Sequence, residues 1–351
     1  MERTSHVHRR GRGAGINPPP RFQRFHLEED PEALDDEERR AVPTTFLTDT
    51  SRSILSNNDS PDVPFTYSLN PYRGCEHGCV WCYARPTHEY LGFSAGVDFE
   101  TKILVKEDAA TLLANRFEDP KWEPQVIAMS GVTDPYQPVE RKRRITRECL
   151  EVFVRYRNPV GIVTKNHLVT RDIDLLSDLA RDDLASVYLS VTSLNDELTG
   201  KMEPRTSRAA RRLDAIRRLT DAGIPTGVMV APVVPGLTDE EMPAILKAAR
   251  EAGARWASYI VMRLPGAVDG IFREWLEREY PNRVNRVMNR VRQLRGGRPN
   301  DPRFGTRMSG TGQWAELFNQ LFRKTASRFG YDSEHPPAPT HHFRRSQGEL
   351  F

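Results

Sequence analysis

Asn70-Pro-Tyr-Arg-Gly-Cys75-Glu-His-Gly-Cys79-Val-Trp-Cys82-Tyr-Ala-Arg85 carries three of the chain's four cysteines within eight residues. So short a loop cannot pair them as disulfides without strain, and one would remain odd. Gly74 and Gly78 let the backbone curl, so that three thiolates can converge on one inorganic centre while the N–H groups of the curl point toward it. The run FTYSLN at 65–70 ends where the loop begins. Runs of the same kind recur at 125–130 (QVIAMS), 159–164 (PVGIVT), 186–191 (SVYLSV), 226–231 (TGVMVA) and 256–262 (WASYIVM), each with the character of a buried strand.

Helical periodicity fills the gaps. Ile145, Cys149, Val152 and Phe153 share one face, as do Ile173, Leu176 and Leu179, and then Leu213, Ile216 and Leu219 ahead of Gly223. Thr238 with Glu241 predicts a capping box opening a helix that ends at Gly253. Strands alternating with helices predict a parallel sheet, open or closed into a barrel, with its chemistry in the loops at the C-terminal strand ends. The cysteine loop and Ser130-Gly-Val-Thr-Asp-Pro-Tyr-Gln-Pro then share a rim. Cys149, on a helical face with Ile145 and Phe153, reads as a core residue.

A cubane cluster has four irons, and electron-transfer sites supply four cysteines. Three leave one iron open to an amino-acid chelate, and S-adenosylmethionine offers an amine and a carboxylate for that role. With His77 the loop could instead close a zinc site of three cysteines and one histidine, although two close thiolate pairs on a longer connection are more usual for zinc. A plain electron carrier needs a fourth ligand, and Cys149 is distant.

CxxxCxxC with Trp81 before its third cysteine resembles the signature of the radical S-adenosylmethionine (SAM) superfamily. The wider NPYRGCEHGCVWCYAR is similar to the spore photoproduct lyase-like, or DNA repair photolyase-like, group, a likeness running from about residue 55 to 265. The resemblance implies an α/β fold, a partial (β/α)6 radical SAM barrel. It implies a [4Fe–4S] cluster on Cys75, Cys79 and Cys82, with S-adenosyl-L-methionine cleaved reductively to a 5′-deoxyadenosyl radical that takes hydrogen from a substrate. It also implies a lyase- or transferase-like enzyme and an electron donor such as flavodoxin or ferredoxin. The cofactor roles it carries over fall on Trp81, on Ser130, Gly131 and Thr133 after the second strand, and on Ser190, Thr192, Glu203 and Arg205 after the fourth. Thr164 and Lys165 are further candidates for cofactor or substrate, and Val230, Ala231 and Pro232 could pack on adenine. Tight-turn formation, helix capping by Thr206 or Ser207 and ordinary core packing are competing readings of these segments.

Outside the barrel pattern, residues 1–60 mix basic, proline-rich and acidic pieces without periodicity and predict a flexible or draped extension. Residues 61–267 make the expected core domain, 268–335 a helical basic region and 336–351 a disordered tail containing His341 and His342. A formal net charge of +3 does not by itself argue for nucleic acid. The helices expected at 271–295 and 312–329 are nevertheless rich in arginine, and Trp275, Tyr280, Phe304 and Trp314 lie nearby for stacking, so nucleic acid is one expected partner class. Radical modification of a peptide or small metabolite is the second reading, and a zinc-stabilised interaction module the third. No run reaches membrane-spanning length and the N-terminus lacks a signal-type apolar stretch, so the expectation is a soluble protein of the reducing cytoplasm.

Overall fold

The computed structural model describes residues 9–22 and 42–345. Among these, strands β1 (Thr45–Thr48), β2 (Leu55–Asn57), β3 (Tyr67–Leu69), β4 (Tyr72–Arg73), β5 (Lys102–Val105), β6 (Ile127–Met129), β7 (Val160–Thr164), β8 (Ala185–Ser190), β9 (Thr226–Val233) and β10 (Trp256–Val261) form two sheets. The larger runs β10-β9-β8-β7-β6-β3-β2. Its pairs from β3 through β10 are parallel, and β2 joins β3 antiparallel. Since β2 and β10 are its two edges, the sheet is open: a partial barrel. The smaller sheet, β1-β5-β4, stands beside the cysteine loop, with β1 parallel and β4 antiparallel to β5.

Each of the six apolar runs contains one of these parallel strands, and the helices fall between them: α1 (Ala109–Glu118), α2 (Ile145–Tyr156), α3 (Ile173–Ala180), α4 (Asp196–Met202), α5 (Ala209–Asp221) and α6 (Met242–Glu251). On α2, Ile145, Cys149 and Phe153 are buried at the predicted spacing together with Leu150, while Val152 is half-buried against the core. Cys149 is fully buried in the main core, alongside Phe117 and Phe153, which meet edge to face at 5.7 Å. Burying side chains of this size stabilises the fold by about 1.5–3 kcal/mol each.

Two expectations are corrected, those of the capping box and the C-terminal tail, and the N-terminal extension, expected to be flexible or draped, is draped where it is described. The capping box before α6 does not form: Thr238 Oγ1 accepts from Val234 N (2.9 Å), and the Glu241 carboxylate accepts from Ser193 Oγ (2.6 Å) and Leu194 N (2.7 Å), holding the loop after β8 instead. Part of the N-terminal region lies on the barrel. Gly13 and Ala14 donate N–H groups to the Glu100 carboxylate at 3.0 and 2.9 Å, Arg12 is buried, and β1 and β2 belong to the two sheets. The C-terminal stretch is packed through residue 345: Phe343 meets Phe117 edge to face at 5.8 Å, and Arg344 N donates to Tyr156 O (2.9 Å). The acidic run 28–39 and residues 346–351 lie outside the described residues.

After β10 come α7 (Val268–Glu279), α8 (Val284–Leu294) and α9 (Gly312–Arg328). Two of the arginines in this region serve the fold, while Arg283, Arg286, Arg323 and Arg328 are exposed. Arg295 is fully buried and donates to the carbonyls of Val261, Met262, Thr306 and Arg307, while Arg290 lies 3.4 Å from Asp239 and 4.3 Å over the Trp314 ring. Trp275 is likewise core, its indole N–H donating to Lys201 O (3.0 Å), so it is no stacking platform. No described helix is long and apolar enough to cross a membrane.

Candidate functional site

The cysteine loop leaves the small sheet at Arg73 and turns twice at positive φ, +80° at Gly74 and +67° at Gly78. A Cβ at Gly78 would come 2.8 Å from Glu100 Oε2. On the opposite side of this contact Gly13 is equally constrained, because a Cβ there would reach 1.9 Å from Gly78 O. Glu100, fully buried, also pairs with buried Arg85 at 2.5 Å, and Arg85 Nε donates to Cys79 O (3.0 Å).

The rest of the loop backbone is tied down in the same way. Cys75 N donates to Phe99 O (2.9 Å), Glu76 N to Gln137 Oε1 (2.9 Å) and Val80 N to Met202 O (3.1 Å), while Glu76 Oε2 accepts from Val139 N (2.7 Å). The scaffold uses the neighbours of the cysteines and leaves the thiols to one cleft. Cys75, Cys79 and Cys82 line it together with His77, Trp81, Tyr83, Ser130, Gly131, Thr133, Asp134, Thr164, Lys165 and Ser190. Its enclosed volume is about 90 Å³, the rest of the space being open to solvent.

Every strand end in the wall lies on the C-terminal rim, as parallel α/β topology predicts. Asn70 Oδ1 accepts from Val132 N (3.2 Å) and Thr133 N (3.1 Å), shaping the turn after β6. Asp134 ties that turn to β7, accepting from Thr164 Oγ1 (2.6 Å) and Lys165 N (2.7 Å), and lies 3.4 Å from His77 Nδ1. Burial opposes its charge, but His77 and these donors outweigh it and hold its pKa at about 2. Burial also opposes the charged form of His77, whose pKa Asp134 and Cys75 nevertheless raise. The Lys165 ammonium lies 4.9 Å over the Trp81 ring, and the Trp81 indole N–H is buried without a hydrogen-bond partner among the described residues.

Of the residues expected to hold cofactor, Trp81, Ser130, Gly131, Thr133 and Ser190 line the cleft with the cysteines. Thr192, Glu203 and Arg205 do not. Glu203, fully buried, pairs with Arg212 at 2.5 Å and accepts from Thr192 Oγ1 (2.7 Å), whereas Arg205 lies 3.0 Å from Glu76 Oε1. These carboxylates and their cations are satisfied inside the scaffold. Val230, Ala231 and Pro232 are on β9 and are not among the lining residues either. The sequence reading missed Tyr83, whose hydroxyl donates to Gly131 O, and the His77–Asp134 bridge. The polar residues at successive strand ends were the available signal for Asp134.

The chemistry of the donor set fits a polynuclear cluster. Burial, then the charge of Glu203, pushes the Cys79 thiol well up, and burial raises Cys82, so neither is a ready nucleophile. Coordination to a metal centre is what deprotonates such thiols.

Residues 69–249 match the Radical SAM superfamily, and the chain belongs to that superfamily of enzymes, which generally use a [4Fe–4S] cluster and SAM. An uncharacterized protein of Mycobacterium tuberculosis is 33% identical over 279 residues, covering 79% of this chain and 78% of the relative. A radical SAM Nalpha-GlyT isomerase of Pseudomonas phage M6 is 26% identical over 208 residues, covering 55% of this chain and 41% of that protein. Among solved structures, variants of spore photoproduct lyase superpose with a TM-score of 0.59 at 17–18% identity, covering 87% of this chain and 86% of theirs. One of them holds AdoMet and dinucleoside spore photoproduct. At that identity the likeness establishes the fold, an α/β radical SAM architecture.

Proposed function

We propose that the chain holds a [4Fe–4S] cluster on Cys75, Cys79 and Cys82, binds SAM beside it, and acts on a nucleic-acid substrate. The observation that carries this reading is the shared cleft: two buried cysteines and a half-buried third, with no fourth among the lining residues, meet the polar ends of β6, β7 and β8 there. When bound, the cluster and SAM, with one electron from a reductant of the flavodoxin or ferredoxin kind, would supply a 5′-deoxyadenosyl radical for hydrogen abstraction, with methionine and 5′-deoxyadenosine as products.

The chain's own part is positioning and exclusion of water. Gly131 and Thr133 bring backbone close to the cleft, Ser130 and Ser190 add hydroxyls, and Trp81 offers an apolar face and its unpartnered N–H. Lys165 carries a cation suited to a carboxylate. Asp134 keeps the β6 turn and Lys165 in register through its bonds to Thr164 and the Lys165 backbone. The nucleic-acid substrate is supported by the dinucleoside photoproduct held in a protein of the same fold. Peptide or metabolite modification is the alternative.

The test is anaerobic reconstitution with iron and sulfide, reduction, and addition of SAM. Wild type should release 5′-deoxyadenosine and Cys79→Ala should not. Equal release from both, or none from wild type, defeats the proposal.

A further inference from the structure

Many of the buried and half-buried arginines among the described residues are spoken for, although half-buried Arg208, Arg273 and Arg292 make no ion pair there. Arg85, Arg171, Arg212, Arg278 and Arg290 face carboxylates, and Arg295 is wrapped in carbonyls. Arg263 differs. It follows β10 at the cleft mouth, is half-buried, and among the described residues makes no ion pair; its guanidinium lies 4.8 Å over the ring of Tyr83, a cleft residue. The acid whose charge reaches it, Asp62, is taken: Asp62 Oδ2 lies 2.5 Å from Arg307 Nε and Oδ1 accepts from Gly305 N (2.6 Å). Burial, and then the neighbouring Arg307, work against the Arg263 charge. A guanidinium held in this way, with no anion of its own, is prepared for one that arrives.

We infer that Arg263 is an anchoring subsite for a phosphodiester of the substrate strand, at the entrance to the cysteine cleft. This rests on the nucleic-acid reading above and gives it a point of contact. The phosphodiester is favoured over a carboxylate by what surrounds the cation. Tyr83 is 43% exposed and Phe304 54% exposed, each with a guanidinium over its ring, Arg263 on one and Arg307 at 4.7 Å on the other. Alternating cations and open aromatic faces match a strand that offers phosphates and bases in turn. The position also separates two anion tasks, Lys165 inside the cleft and Arg263 at its lip.

The reconstituted full-length protein is titrated with a short labelled single-stranded oligodeoxynucleotide over about 50–200 mM salt. Arg263→Gln should bind about ten- to a hundredfold more weakly, the loss of a charge-assisted contact. Its log–log salt slope should be shallower by about 0.7, one phosphate contact on a single strand. Arg263→Lys keeps the charge and should keep the slope while losing affinity. Iron content and melting temperature equal to wild type show the fold intact, and should Arg263→Gln misfold, Arg263→Lys with oligonucleotides carrying neutral methylphosphonate linkages reads the same contact. Unchanged affinity and slope in Arg263→Gln overturn the Arg263 subsite alone. No binding by wild type overturns the nucleic-acid substrate and the subsite together, and an Arg263 dependence seen only with polyglutamate overturns the phosphodiester assignment.

Discussion

Glu100→Gln is the most informative single perturbation of the cysteine loop. The Glu100 carboxylate accepts three donors: Arg85 Nη2 at 2.5 Å and Ala14 N at 2.9 Å on Oε1, and Gly13 N at 3.0 Å on Oε2. Glutamine keeps the shape but brings an NH2 group. Turned one way it opposes the Gly13 N–H, and turned the other it opposes both Arg85 and Ala14. Either leaves a backbone donor unmet, about 1–3 kcal/mol, and a fully buried guanidinium without its counter-charge. Breaking a buried pair from one side costs about 3–5 kcal/mol, and the two contributions overlap, so about 3–5 kcal/mol is the expected total. That is a large part of the roughly 5–15 kcal/mol that holds a typical domain together. Denaturant unfolding of the metal-free protein, followed by near-ultraviolet circular dichroism, measures it, and hydrogen exchange should show the loop from Cys79 to Arg85 opening before the sheet. Combining Glu100→Gln with Arg85→Met should recover much of the loss, because the uncompensated charge is gone. A loss under about 1 kcal/mol, or no recovery in the double variant, would refute the reasoning.

Gly78→Val puts a branched side chain at φ +67°, with its Cβ 2.8 Å from Glu100 Oε2; at about 1–2 kcal/mol for the backbone alone, it should abolish iron retention after reconstitution. Asp134, with its pKa depressed to about 2, contributes stability that is complete above the ordinary carboxylate range and is lost as pH falls toward 2. The stability gap between metal-free wild type and Asp134→Asn should therefore be constant between about pH 4 and 6.5, narrow below that window, and shrink again as pH rises toward about 9, where His77 loses the charge that Asp134 favours; a gap independent of pH would contradict this. Cys149→Ala should leave iron content unchanged, since Cys149 sits in the core behind the sheet; lost iron would assign it a ligand role. Phe343→Ala should cost about 1–3 kcal/mol in thermal or denaturant unfolding, and no change would mean that its contact with Phe117 and Tyr156 is idle.

The parts of this fold legible in the sequence are those written in local periodicity. The six parallel strands are short runs rich in apolar residues, buried or half-buried throughout, and Cys149 announces its core position by its spacing from Ile145 and Phe153. The three cysteines are legible because they crowd beside two glycines. What the sequence did not disclose depends on partners far along the chain. Gly13 and Ala14 give no periodic signal, since their role is two N–H groups aimed at a carboxylate more than 80 residues away. Glu203 and Thr192 follow a strand end, where a cofactor contact and a buried ion pair draw on the same residue types, and only Arg212 distinguishes the two. Of the arginines at 283–295, Arg290 and Arg295 are drawn inward, which the sequence cannot show because Asp239 and the carbonyls of β10 and the 306–307 turn receive them. Phe343 stands in a proline-rich tail whose composition resembles disorder, yet one aromatic ring suffices to fasten it.

The contact of Gly13 with Gly78 also bears on the order in which the protein is put together. Residues 12–14 back the cysteine loop and none of them borders the cleft, so the thiols are approached from the mouth alone. On the proposed reading, iron, sulfide and every later visitor share one doorway. Biogenesis becomes a queue, with metal delivered first, and a chain already holding a ligand in the cleft should resist loading until that ligand departs.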